Sequence, residues 1–393
     1  MEILPKTLGT RPRLACEVRA EGVVAARAED ASAVLSAVSR VPLADGVVVP
    51  HLRTGQTGAT VASPAEKSAT NEFVGSVAAG AAGRAALVAA MRSALETVSL
   101  KTRDVTLVVP DSAVRVLLLD FDELPAKEAE ALPVVRFRLK KLLPFDADDA
   151  AISFQVMTTT RGLVQVIAVA MPREVQSDYE SLVREAGFEP GAILPSTLAS
   201  LAGLDEGDRP RLIVNAGRKS ITTAIVKGGI LLLHRTVDLG TDLAEARTAE
   251  HAAVPVSGAP TGDSISAIAA RLAAAGVNAP ASGAQLPVIA AETVYEASVM
   301  ASASEIAQAV SVAAAYFEDT LETSPAVVLA AGTLGAEGLL RVLDDESYAT
   351  EMGPVAVQEL VERPMLGAGA DSAGKAGGVP LGWLAGVRGA LAN

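Results

Sequence analysis

The stretch LIVNAGRKSITTAIVKGGILLLHR, from Leu212 to Arg235, reads as three apolar strands joined by two tight polar turns. The first turn holds Gly217 between Asn215 and Ser220. A turn of this kind can cradle phosphate, because its exposed backbone N–H groups converge on an anion. The same strand, turn, strand plan stands at the head of the chain in RLACEVRAEGVVAARAE, with a polar turn at Arg19 to Gly22. Other chemistry is thinly represented. Cys16 is the single cysteine, so an intrachain disulfide framework or a cysteine-rich metal site is excluded, which suits a reducing cytosol. His51, His234 and His251 lack HExxH or HxH spacing and read as ordinary surface or loop residues. No GxSxG elbow or SxxK motif supports a nucleophile, and Asp148 with Asp149 reads as a surface turn after Pro144.

The elements that must position these turns have ample material. A chain of 393 residues with 50 % apolar content can bury a large core, as several domains or as one two-lobed domain. Lys and Arg total 33 against 46 Asp and Glu, a formal charge of -13, which argues against a phosphate-backbone footprint and so against nucleic acid as partner. The mean hydropathy of +0.35 comes from Ala and Val spread along the chain. The Ala-rich VAAGAAGRAALVAAM is broken by Arg84 and two glycines, so no apolar run reaches the ~20 residues of a membrane-crossing helix. MEILPKTLGTRPR has no apolar region of the signal-peptide kind, and the expectation is a soluble, cytoplasmic protein.

Two hairpin-led halves predict an internally duplicated α/β architecture with a cleft between lobes. Lobe I is expected over 13–205 and lobe II over 210–393. Asp30 to Ser39 reads as a connection, Gly46 to Pro50 as a strand, HLRTGQTGATVASPAEKSATNEF as a loop, and Ala78 to Val98 as a helix before a strand at Val105 to Pro110. A strand, helix, two strands and a helix then form a small α+β insertion at about 114–188. Lobe II carries a helix from about Thr241, a loop-rich insertion at about 254–288 with a short helix at Ile265 to Ala275, and a long helix at Ala291 to Leu321. The strand AVVLA, a Gly-rich linker at about 367–378 and a terminal helix follow, the last with a return to lobe I as one option. Its stripe of Trp383, Leu384, Val387 and Leu391 reads as packed on the fold. The helix bearing Arg136, Arg138, Lys140 and Lys141 reads as a solvated basic face complementing its own dipole, with acidic lipid or an acidic segment as the alternative partner.

PDSAVRVLLLDFDELPAKEAEALPVVRFRLKKLLPFDADDAAISFQV resembles the inserted subdomain of the PilM family of type IV pilus assembly proteins. There a helix ends in a Leu-Pro-Phe turn before a strand of the Asp-Tyr-Gln-Val kind. The equivalents are Leu143, Pro144, Phe145 and Ser153, Phe154, Gln155, Val156. The likeness continues in order through YESLVREAGFEPGAI, VNAGRKSITTAIVKGGILLLHRTVDLG and AYFEDTLETSPAVVLAAGTLGAEGL. It implies a two-lobed actin-like (ribonuclease H-like) α/β fold with an inserted α+β subdomain, of the type shared with FtsA. It also implies a cytoplasmic protein, peripheral to the inner membrane, that docks the N-terminal peptide of a PilN-like membrane protein. Pilus motor ATPases and a second copy of the chain are further candidate partners.

The family's nucleotide turns carry over with departures. At the first, Glu17 stands for the metal-organising Asp, and Arg19 stands where a glycine is expected, with Glu21 and Gly22 beyond. At the second, Asn215 stands for Asp, with Gly217, Ser220 and Thr222 kept. At the adenine loop Gly332 and Gly338 match. ATP with Mg2+ is thus a doubtful cofactor, and hydrolysis is more in question than binding. Plain readings stand beside these: Glu17 as an exposed strand-end acid, Arg19 as a solvated turn residue, and Gly217 and Gly332 as ordinary turn glycines. Phe137, Phe145 and Phe154 are candidate lining for a peptide groove, by location alone.

The expected function is therefore a pilus assembly scaffold with a degenerate nucleotide site. The alternatives are an active ATPase of the actin-like and sugar-kinase superfamily, against which Asn215 counts, or a GspL-like type II secretion domain. The latter is disfavoured because such proteins continue into a transmembrane helix.

Overall fold

The computed structural model describes residues 12–30, 32–44, 47–52, 70–204, 207–239, 288–344, 356–367 and 378–392. The helix expected from Thr241, the short helix at Ile265 to Ala275, and nearly all of the loop-rich insertion and the Gly-rich linker lie outside them. The chain divides into one unit of residues 1–238 and 304–393 and a second of 239–303. The five-stranded sheets of both lobes lie in the first unit.

Two runs of apolar residues become the central strands of two sheets. In the first, β1 (Leu14–Arg19) is buried along its whole length. It pairs antiparallel with β2 (Gly22–Ala28) and parallel with β4 (Asp104–Val109). The outer neighbours are β3 (Leu35–Pro42), antiparallel to β2, and β8 (Glu189–Pro195), parallel to β4. The order β3-β2-β1-β4-β8 is repeated in the second sheet as β11-β10-β9-β12-β13. There β9 (Arg211–Ala216), β10 (Ser220–Lys227) and β11 (Ile230–Asp238) run antiparallel to their neighbours, while β12 (Val327–Ala331) and β13 (Ala356–Glu359) join parallel. Unbroken burial is what a strand covered on both faces demands, and it explains why these segments read as continuous apolar runs. Order and sense match strand for strand, so the fold is a duplication.

Two expectations are corrected here. Asp30 to Ser39 is no mere connection, because Leu35–Pro42 forms the edge strand β3, half-buried along most of its length. Residues 47–50 form no strand.

Helix α1 (Thr70–Val98) covers the first sheet, with Leu87, Met91, Ala94 and Leu95 buried against it. Between β4 and β8 the chain leaves to build β5 (Arg115–Phe121), α2 (Glu128–Leu139), β6 (Ala150–Thr160), β7 (Leu163–Pro172) and α3 (Arg173–Glu185). The strands form a separate three-stranded sheet of order β5-β7-β6. Val135 and Leu139 of α2 close over Leu119, Val166 and Ala168 of that sheet as a small core of its own. Tyr179 of α3 is fully buried, and its hydroxyl donates to the carbonyl of Pro50 at 2.6 Å, tying helix to loop. Tyr179→Phe is expected to lower stability by about 1 kcal/mol, the net worth of one such bond, read as a shift in urea midpoint with unchanged slope.

On the second sheet α6 (Gly335–Leu343) packs against β12 and β13, and Tyr316 of α5 (Val288–Leu321) donates its hydroxyl to the Leu232 carbonyl of β11 at 3.4 Å. Short helices α4 (Ser196–Ala202), after β8, and α7 (Ala385–Leu391), at the end of the chain, pack on each other. One apolar core runs from Ala15 and Val108 of lobe I through Leu198 to Ile213 and Ala331 of lobe II. Trp383, Leu384 and Val387 complete it. The terminal stripe is therefore core, as its spacing indicates, and Arg40 stacks on Trp383 with its guanidinium 4.2 Å from the ring centroid. Among the described residues no helix is long and apolar enough to cross a membrane.

Candidate functional site

In a sheet of this topology, ligands approach the carboxyl ends of the parallel strands. Here those ends bring Glu17 and Arg19 from β1, Asp111 from the turn after β4, and Ser196 and Thr197 from the end of β8 together with Asn215 from β9. The group joins both lobes.

Its geometry is that of a closed polar network. Arg19 Nη2 lies 2.5 Å from Glu17 Oε1. Ser196 Oγ donates to the same oxygen at 2.6 Å and accepts from Arg19 Nη2 at 3.0 Å. Arg19 Nη1 reaches across to Asn215 Oδ1 at 3.2 Å. The Asn215 amide donates to Ser196 Oγ at 2.9 Å and Thr197 Oγ1 at 3.0 Å. Asp111 in turn accepts from the Thr197 hydroxyl at 2.5 Å and its backbone N–H at 3.1 Å. The β1 strand explains the first pair: residues two apart point to the same face, so a Glu and an Arg at that spacing can neutralise each other without leaving the strand.

The plain readings of three residues are overturned by this arrangement. Glu17 is completely buried and Arg19 is 7 % exposed, so neither is a solvated strand-end or turn residue. His234 on β11 is no surface histidine: its side chain is buried, with Nε2 4.0 Å from Asp111 Oδ1. All three are buried where residues of the two lobes meet.

Burial raises the pKa of Glu17, outweighing the lowering by Arg19 and by the Ser196 hydrogen bond. Burial likewise lowers that of His234 against the pull of Asp111, leaving a neutral imidazole. Glu17 Oε2, Arg19 Nε and His234 Nε2 have no hydrogen-bond partner. The unpartnered Glu17 oxygen faces Gly386 of α7, where an added Cβ would lie 2.8 Å from the carboxyl carbon.

The remaining carried-over residues border this network. Gly217 lies in the β9–β10 turn, its N–H donating to the Ser220 carbonyl at 3.0 Å. Gly332 follows β12 with φ +90°, donates its N–H to the Gly382 carbonyl at 2.8 Å, and would bring a Cβ to 2.7 Å from Asn215 Oδ1. Only glycine permits that backbone and that approach. Gly338 sits within α6 against Leu334, and Thr222 faces Thr236 across β10 and β11 at 3.0 Å.

The three phenylalanines part company. Phe137 on α2 is 67 % exposed with Lys141 5.8 Å over its ring, Phe145 is half-buried, and Phe154 packs under α2 against the subdomain core. The basic helix is partly committed internally: Arg136 donates to the Ala147 and Ala150 carbonyls and Lys140 pairs with Asp148 at 2.6 Å.

Sequence reading missed Asp111, Ser196 and Thr197, and it passed over Glu21. A signal existed for the first three. Asp111 and Ser196 each stand directly after a proline at the carboxyl end of a parallel strand, with Thr197 next in line, in VVPD and ILPST.

No family model matches the chain, and no curated protein matches it by sequence. Solved structures do match. A chain of the PilM-PilN type IV pilus biogenesis complex aligns over 97 % of this chain and 98 % of its own, with a TM-score of 0.64 at 18 % identity. The ethanolamine utilization protein EutJ from Carboxydothermus hydrogenoformans covers 98 % of this chain and 91 % of its own, at 11 % identity and a TM-score of 0.39. A Bacteroides thetaiotaomicron protein with actin-like ATPase fold and unknown function covers 91 % and 92 %, at 9 % identity and 0.37. With its duplicated five-stranded sheets and inserted three-stranded subdomain, the chain has the two-lobed actin-like α/β fold that its sequence implies.

Proposed function

We propose that this protein is a cytoplasmic scaffold of a type IV pilus assembly complex, docking the N-terminal peptide of a PilN-like inner-membrane protein without turning over nucleotide. The observation that carries the reading is the Arg19 guanidinium, locked between Glu17, Ser196 and Asn215 at the meeting of the lobes. The fold shared along the whole chain with a member of the PilM-PilN complex supports the assignment to pilus assembly.

The strand ends do not fit ATP with Mg2+. A metal ion bridging phosphates needs carboxylate oxygens free to face it, whereas Glu17 Oε1 is tied to a guanidinium, its Oε2 is turned onto Gly386, and the second lobe offers the uncharged Asn215. No metal-assisted step is assigned to these residues. Among the described residues no group of three or more His, Cys, Asp or Glu is placed to hold a metal.

Recognition of an extended peptide requires apolar pockets and backbone partners, and it proceeds without chemistry. The inserted subdomain supplies exposed apolar side chains for this, Phe137 and Leu142 foremost. Calorimetric titration of a PilN-like N-terminal peptide should show binding, and a phosphate-release assay with ATP and Mg2+ should stay at background. Steady turnover, or indifference to the peptide, overturns the reading. Phe137→Ala is expected to weaken peptide binding about tenfold while moving the unfolding midpoint little, since an exposed side chain contributes within about 0.5 kcal/mol to stability.

A further inference from the structure

Glu21 projects from the β1–β2 turn of lobe I, and its carboxylate is met by Arg218 and Thr333, both of lobe II. Oε1 accepts the backbone N–H of Arg218 in the β9–β10 turn and the hydroxyl of Thr333 after β12, the latter at 3.1 Å. A Cβ on Gly217 would come within 3.2 Å of the same oxygen, so the carboxylate lies against the bare backbone of the turn. A turn amide and a hydroxyl from two different loops, converging on one oxygen beside a glycine, make the geometry by which a protein holds a phosphate oxygen. The occupant here is an anion supplied by the chain.

We infer that Glu21 is a tethered anion filling a phosphate-class cradle on lobe II, fastening the two lobes in the absence of any free ligand. The inference deepens the reading of these strand ends as a site closed by the protein's own side chains. Arg19 occupies the first lobe's strand ends, and Glu21 occupies the second lobe's turn. The two crossing contacts are reciprocal: a cation of lobe I on a side-chain acceptor of lobe II, and an anion of lobe I on lobe II donors. Being covalently attached, the carboxylate has a high effective concentration at the cradle, so a free anion competes poorly with it. Removing it should expose donors that still converge.

The test compares the wild-type protein with Glu21→Ala in titrations of inorganic pyrophosphate, by calorimetry and thermal unfolding, with sodium chloride at matched ionic strength as control. Glu21→Ala should melt lower than wild type and bind pyrophosphate about tenfold or more tightly than wild type does, with the melting point restored by pyrophosphate and not by chloride. ATP titrated in parallel separates the ligand sources: equal gain with ATP and pyrophosphate means that the cradle reads phosphate alone. Glu21→Gln keeps shape and one acceptor while losing the charge, and should show a smaller gain in the same direction. It serves in place of Glu21→Ala if that variant fails to fold. Equal pyrophosphate affinity in wild type and variant overturns the inference. Peptide binding and ATP turnover are read on the wild type, so the scaffold reading and the tethered anion can fail independently.

Discussion

Replacing Arg19 by Leu is expected to cost about 3–5 kcal/mol, because it leaves the carboxylate of Glu17 buried without its countercharge. Against a total stability of about 5–15 kcal/mol, that is a large fraction. The loss should depend on pH in a direction fixed by Glu17. Its folded-state pKa lies above the ordinary carboxylate value, so the folded chain binds this proton more tightly than the unfolded one. Stability contributed by Glu17 therefore rises as pH falls from the raised value toward the ordinary one, and is constant below it. Arg19 is the largest influence pulling that pKa down, so its removal pushes the window upward. Urea unfolding at pH 8 and pH 5 should show Arg19→Leu closer to wild type at the lower pH.

His234 acts in the opposite sense, since burial lowers its pKa and the folded state gives up stability as pH falls through the ordinary histidine range. Comparing variant with wild type at each pH cancels that contribution. The double variant Glu17→Leu with Arg19→Leu should be more stable than Arg19→Leu alone, because a buried pair replaced by apolar side chains forfeits far less than a pair broken in half. A double variant as unstable as the sum of its singles would show that Arg19 acts through Asn215 rather than through Glu17.

This network also marks the boundary of what one-dimensional reading can reach. The duplication was legible because β1 and β9 are buried on both faces and so carry unbroken apolar runs, with a tight turn after each. The edge strand β3 was not, because LSAVSRVP is half-exposed and mixes Ser and Arg with its apolar residues. β13 has only AVQE to declare itself, and it exists through its parallel pairing with β12. At the site, Asn215 and Gly332 were reached through their turns, whereas the burial of Glu17 and Arg19 depends on Ser196 and Asn215, 177 and 196 residues further from Arg19 along the chain. An acid and a base two apart on an apolar strand did carry a local hint, since both point to one face. His234 carried none. It is buried beside Asp111, a residue of the other lobe.

Gly389→Ala should destabilise strongly, and its sign separates two effects that oppose each other. Within a helix, Ala is favoured over Gly by about 1 kcal/mol, so propensity alone predicts a more stable protein. At Gly389 of α7, however, a Cβ would fall inside the van der Waals envelope of the Ala199 carbonyl oxygen and 2.7 Å from the carbon that bears it. That backbone belongs to α4, and the contact is where the final helix of the chain crosses the last helix of lobe I. Neither side has a flexible group to yield: Gly203, which caps α4, lies against Gly389 as well, and the nearby Arg388 guanidinium is held by the Gly203 carbonyl at 2.8 Å. Relief requires the helices to separate, opening the core around Leu198, Leu384 and Val387. Overpacking of this kind costs about 1–3 kcal/mol and more where backbone must move, so a net loss of about 2 kcal/mol or greater is expected despite the better propensity. Gly83→Ala in α1 provides the control, its nearest neighbour being the Val47 Cα at 4.0 Å, and should be neutral or stabilising. Chemical unfolding of the two variants side by side decides the matter. If both gain stability, α4 and α7 do not cross this closely, and the terminal segment cannot be what seals Glu17 from water.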